Sequence, residues 1–159
     1  MKKNIITVTI LILVILIGYY FYNSKNINST QLEYRDNEYG FTFTLPMNWK
    51  GYSIISNSWE GFLLDSPKNE KINGPEIFIR HPLWTIEKQR QDIPIMIFTY
   101  EQWNLVRQEK LSLGAAPIGP SELGRNSKYV FALPARYNFA FPLGFEEVIN
   151  ILDSKPLHT

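Results

Sequence analysis

The chain has 159 residues, no cysteine and a formal net charge of +1, with 45% hydrophobic and 14% aromatic residues. Lack of cysteine excludes thiol catalysis, disulfides and a lipid-modified cysteine anchor, so whatever folds must do so by packing alone. Beyond residue 24 the chain carries 14 basic and 15 acidic residues and no basic block, which excludes nucleic acid as a partner and a polybasic lipid-binding face; the apolar content is enough for a core.

Met1-Lys2-Lys3-Asn4 is followed by an uncharged run from Ile5 to Tyr22. At about 1.5 Å per helical residue that run spans roughly 27 Å, close to the hydrocarbon thickness of a bilayer. A cleaved signal peptide requires small residues before the cut, yet this run exits through Gly18-Tyr19-Tyr20-Phe21-Tyr22. The tyrosines suit a membrane–water interface, so the reading is a retained single-pass anchor. Lys2 and Lys3 place the amino terminus in the cytoplasm and the remainder on the outer face of the cell membrane, against a slight opposing bias from Lys25. The expected organisation is a stub and transmembrane helix over 1–24, a tether over 25–33 and an extracytoplasmic domain over 34–159. Asn28-Ser29-Thr30 fits the glycosylation triplet but is read as part of the polar, aperiodic tether.

Within the domain, Tyr39 to Leu45 alternates strictly, with Phe41, Phe43 and Leu45 on one face of a half-buried strand. Tyr52–Ile55 and Trp59–Leu64 read as two further strands, Ser66–Pro75 as a polar loop, and Glu76–His81 as a short strand. Pro94-Ile95-Met96-Ile97-Phe98 is apolar throughout, the pattern of a central strand covered on both faces. Thr99-Tyr100-Glu101-Gln102 matches a capping box that opens a helix with Trp103 and Val106 on one side. A short third helix is expected over Thr85–Gln91. Ser112–Ser127 reads as the longest irregular segment. Lys128–Leu133 and Arg136–Phe141 read as a hairpin with Tyr137, Phe139 and Phe141 inward. A last helix over Phe145–Ser154 carries the stripe Phe145, Val148, Ile149 and Leu152, with Glu146 and Glu147 as solvated charges at its start. Together these predict an α+β fold: an antiparallel sheet of hairpins covered by two or three helices, preceded by one N-terminal transmembrane helix.

The segment from Tyr39 to Lys50, YGFTFTLPMNWK, resembles the opening of PsbP-like domains: an aromatic-Gly-Phe strand, a proline, then a tryptophan. Membrane-anchored proteins of the Gram-positive bacterial type open similarly. The resemblance implies an antiparallel sheet flanked by helices over about residues 34–155. Its motif packs a core and carries no chemistry, so it implies no activity.

Candidate chemistry is sparse. His81 has no His, Cys or acidic residue at zinc-ligand spacing, so no metal site is expected, and a structural histidine at a strand end is the simpler reading. His158, next to the C-terminus, reads as mobile. No Gly-x-Ser-x-Gly elbow exists, and the glycines of 114–124 lack phosphate-loop spacing. No catalytic residue and no cofactor are assigned. The functional expectation is a membrane-anchored, non-catalytic binding or accessory module. Its partners are the bilayer through residues 5–22 and, as a candidate, a membrane or envelope protein. The alternative is an envelope-associated hydrolase with a site around His81. Any ligand or partner site is expected near the 112–127 loop, with Arg80, His81, Arg125 and Arg136 as candidate contacts, because a guanidinium grips carboxylates or phosphates through paired hydrogen bonds.

Overall fold

Ile93-Pro94-Ile95-Met96-Ile97-Phe98 offers water no polar side chain, and the structure, a computed structural model, buries all six residues. It describes residues 17, 31–64, 66, 70–114 and 118–159. Apart from Ile17, the expected span at 5–22 and the tether up to residue 30 lie outside the described residues. No helix among the described residues is long and apolar enough to cross a membrane.

In chain order the elements are β1 (Gln31–Asp36), β2 (Phe41–Pro46), a 3-10 turn (Met47–Trp49), β3 (Ser53–Leu63), β4 (Lys71–Arg80) and β5 (Ile93–Thr99). They continue with α1 (Tyr100–Arg107), β6 (Leu111–Ser112), β7 (Ser121–Arg125), β8 (Tyr129–Leu133), α2 (Phe145–Asp153) and β9 (Leu157–His158). A six-stranded sheet runs β6-β3-β4-β5-β8-β7, and a small sheet runs β1-β2-β9. The described residues therefore form an α+β fold, mostly antiparallel sheet with two helices.

Alternation along β5 divides the core. Ile93, Ile95 and Ile97 join Phe41, Phe43 and Leu45 of the small sheet, Val148 and Ile151 of α2, and Phe131. Met96 and Phe98 join Trp59, Trp103 of α1, Leu111, Val130 and Ala132 on the opposite face. Each such fully buried aliphatic or aromatic side chain contributes roughly 1.5–3 kcal/mol. Helix α1 begins as its sequence predicts. The Thr99 hydroxyl accepts from the Gln102 amide at 3.2 Å, and the Gln102 side chain accepts from the Thr99 amide at 2.9 Å.

Several local expectations are corrected. Tyr52–Ile55 and Trp59–Leu64 belong to one long strand, and the expected loop at 66–75 gives its second half to β4, with Lys71 opposite Phe62. The reason lies across the sheet. Glu76 pairs with Met96 and Ile77 with Ile95, so the register sets Pro75 against Ile97. Proline has no N–H to give. The Trp59 indole N–H donates to the Ile97 carbonyl instead, at 2.9 Å. That reach needs a glycine beneath it: a Cβ on Gly74 would lie 2.4 Å from the Trp59 ring.

The third helix at Thr85–Gln91 does not form. The Thr85 hydroxyl and carbonyl both accept from the Lys88 amide, at 3.0 and 3.2 Å, and close a turn. The 112–127 segment is not wholly irregular, since it supplies the end of β6 and all of β7. β8 pairs with β7 and β5, not with Arg136–Phe141. Residues 136–141 are successive turns that leave Phe139 and Phe141 exposed. His158 is not mobile, because β9 pairs it with Thr42.

Gly74→Ala is expected to destabilise the domain by about 1–3 kcal/mol through overpacking. Trp59→Phe, which strands the Ile97 carbonyl, is expected to cost about 1–3 kcal/mol. The double variant should lose less than the sum, because a phenyl ring vacates the space the alanine methyl needs. Urea-unfolding midpoints of the four proteins check this.

Candidate functional site

The four predicted contact residues are scattered. In β4, Ile77 and Ile79 face the small sheet, and His81 follows them onto that side, while Arg80 alternates to the other. The Arg80 guanidinium grips Asp92, with Nη2 to Oδ2 at 2.7 Å and Nε at 3.1 Å from both oxygens, and lies 3.9 Å over the Trp84 ring. Its paired donors are thus already committed. Arg125, at the end of β7, forms a fork on Glu122, with Nε 2.6 Å from Oε1. Arg136 is exposed in a turn at φ +56°. The register separates them: Arg125 pairs with Val130 at one end of β8, whereas Arg136 follows Leu133 at the other.

His81 is 4% exposed. Its Nδ1 accepts from the Leu83 amide at 3.0 Å, which sets the neutral tautomer with its proton on Nε2. The ring meets Trp49 edge-on with centroids 4.9 Å apart. Burial lowers its pKa, the nearby Arg90 cation lowers it further, and Glu147 opposes both. Among the described residues no carboxylate is hydrogen-bonded to this ring. The arrangement holds the histidine neutral and offers it no orienting acid.

Glu147 is not the solvated helix-start charge the sequence suggested. Gly144 caps α2 at φ +82° and lies against Arg90, where an added Cβ would sit 3.1 Å from the guanidinium. From the first turn of α2, Glu147 accepts from Arg90 Nη2 at 3.0 Å, from Trp49 Nε1 at 3.0 Å and from Asn48 Nδ2. One carboxylate thereby ties the end of β2, the 82–90 loop and α2 together. The partners lie 57, 98 and 99 positions away, so no local spacing could have revealed them.

Two concavities lie near the segments expected to bind. A shallow one of about 380 Å³ is walled by Arg80, Trp84, Arg90, Gln91, Tyr137 and Pro142. The Gln91 amide donates to the Asp92 and Tyr137 carbonyls at 2.7 and 3.2 Å, and its Oε1 is buried without a partner. A larger cleft of about 680 Å³ opens between α1, β6 and the segment Ile118–Pro120, lined by Met96, Trp103, Val106, Leu111, Leu113 and Ile118 among others. Arg107, Glu109 and Ser112 supply its polar rim. Trp103 is 4% exposed, and its indole N–H is buried with no acceptor. Leaving such a donor unpaired costs about 1–3 kcal/mol. Residues 112–114 and 118–120 of the expected loop line this cleft, and Arg80, Arg125 and Arg136 do not. Among the described residues no group of His, Cys, Asp and Glu could hold a metal ion.

Two outcomes follow from this geometry. Because His81 is held neutral and its folded pKa is depressed, an unfolded chain binds its proton first; stability present above about pH 6.5 is lost as pH falls through the depressed folded value. His81→Asn, whose Oδ1 can still accept from Leu83, should lose less stability than the parent between pH 7.5 and 5 in urea titrations. Glu147→Ala should cost about 1–3 kcal/mol by stranding the Trp49 N–H, and Glu147→Gln less, as read by thermal unfolding. No protein-family model, no curated protein and no solved structure matches the chain.

Proposed function

We propose that this chain is a membrane-anchored, non-catalytic binding module on the outer face of the cell membrane, and that it takes an apolar small molecule carrying one oxygen acceptor into the cleft beside α1. The observation that carries this reading is Trp103, which lines the cleft with Met96, Val106, Leu111, Leu113 and Ile118 and keeps a buried indole N–H without an acceptor. A volume of about 680 Å³ falls within the ~300–1,000 Å³ of small-molecule sites. The anchoring half of the proposal is supported by the uncharged run Ile5–Tyr22, the preceding lysines and the absence of a small-residue cleavage site. The PsbP-like opening adds only a fold expectation, because Phe41, Phe43, Leu45 and Trp49 are all buried in the core. The hydrolase reading finds no support at His81, whose Nδ1 is occupied by a backbone amide.

The test is thermal unfolding of the full chain in detergent against a panel of neutral apolar molecules bearing one carbonyl or hydroxyl oxygen. At least one should stabilise the parent, by about 2.7 kcal/mol at a hundredfold excess over its Kd. Gly119→Phe should abolish that gain. A Cβ at Gly119 would meet only the Val106 side chain, at 3.9 Å, and both residues line the cleft, so the substitution adds bulk at its wall without a backbone clash at Cβ. Arg80→Ala should keep it. Equal stabilisation of Gly119→Phe, or none of the parent by any member, overturns the cleft as the site.

A further inference from the structure

Five large apolar side chains stand in water on two loops: Leu83 at 67% exposure and Ile86 at 77% on one, Phe139 at 75%, Phe141 at 71% and Leu143 at 56% on the other. The loops adjoin. Arg90 bridges to Leu143, the Gln91 amide donates to the Leu143 carbonyl at 2.8 Å, and both loops wall the shallow concavity that holds Trp84, Tyr137 and Pro142. The second loop is held in a costly conformation. Arg136, Ala140 and Phe141 all have positive φ, +56°, +74° and +48°, a state that costs an L-residue about 1–2 kcal/mol. That conformation turns outward two phenyl rings that the alternation of 137–141 would have buried.

Large apolar side chains gathered in water on adjoining loops mark an interaction surface. The clamp at Glu147 ties the first of these loops, through Arg90, to Trp49 just past the end of β2, and the Gln91–Leu143 bond carries the second loop with it. β1 is the neighbour of β2 and reaches it through the turn at residues 37–40, so the start of β1 lies beside the end of β2. The chain therefore enters the domain at the end that carries the apolar cluster. Eight residues, 23–30, lie between that point and the end of the proposed span, a reach of at most about 32 Å when extended. We infer that Leu83, Ile86, Phe139, Phe141 and Leu143 dock on the bilayer surface to which the N-terminal segment ties the chain. This inference rests on the proposed anchor. Docking seats the rings in the interfacial region and holds the domain in one orientation on the membrane.

The cysteine-free sequence allows a direct test with the full chain in vesicles of phosphatidylcholine and phosphatidylglycerol. A nitroxide is attached at Phe139→Cys, at Leu83→Cys on the other loop, or at Asn37→Cys, an exposed position in the β1–β2 turn at the opposite end. Flotation in alkaline carbonate is run on the same samples. The expected result is alkali-resistant flotation, with labels at 83 and 139 more accessible to oxygen than to a water-soluble nickel chelate, and the reverse at 37. Alkali-resistant flotation with water-like accessibility at 83 and 139 overturns docking and leaves the anchor standing. Spin–spin broadening at 139 that disappears on dilution with unlabelled chain identifies a second copy as the occupant and overturns docking. Release by alkali removes the anchor, and docking with it.

Discussion

Strand β5 has no solvent face. Ile93, Ile95 and Ile97 press into one cluster and Met96 and Phe98 into another, so its polar backbone groups must find partners inside the protein. Where β4 and β8 supply the ladder, this is ordinary sheet pairing. Opposite Pro75 the ladder has a gap, and Trp59 crosses Gly74 to close it. The placement of β3, the glycine in β4 and the stacking of Trp59 on Phe98, with centroids 4.6 Å apart, all serve one carbonyl.

Double burial also requires two covers. Helix α1 covers one face through Trp103, and its capping box starts it immediately after β5 ends. The other face is covered by the small sheet and α2, drawn from opposite ends of the domain. Their union relies on the Glu147 carboxylate, which gathers Asn48, Trp49 and Arg90 from separate segments. A shared carboxylate with three donors is more restrictive than three separate surface pairs, because loss of the acceptor strands the Trp49 donor as well as Arg90.

The surface divides in the same way. The face covered by α1 is incompletely filled, and the cleft beside Trp103 is the space left where a helix of eight residues and the two-residue strand β6 must roof a much longer sheet. The end tied down by Glu147 turns its apolar side chains outward from two loops. The proposed ligand site on one face and the proposed docking edge where the chain enters the domain are compatible uses of one small domain.

Period-two alternation at Phe41–Leu45, the unbroken apolar run of β5 and the Thr99–Gln102 capping box were legible in the sequence because each depends on residues a few positions apart. The last helix was legible too, but its stripe only in part: of Phe145, Val148, Ile149 and Leu152 only Val148 is fully buried, and Ile151, outside that stripe, is buried with it. From these patterns the α+β class and the double cover of β5 follow. Tertiary structure alone decided the partner of β8, since Ser121–Arg125 and Arg136–Phe141 compete for the same edge and only three-dimensional packing chooses between them. It alone decided that Phe139 and Phe141 face outward, that Arg80 and Arg125 are already paired, and that Glu147 is a clamp. The cleft was likewise invisible, because its walls come from β5, α1, β6 and the segment before β7. The physical reason is common to all of these: period and capping are local properties of the chain, whereas pairing, burial of a donor and the space between elements depend on residues that only folding brings together.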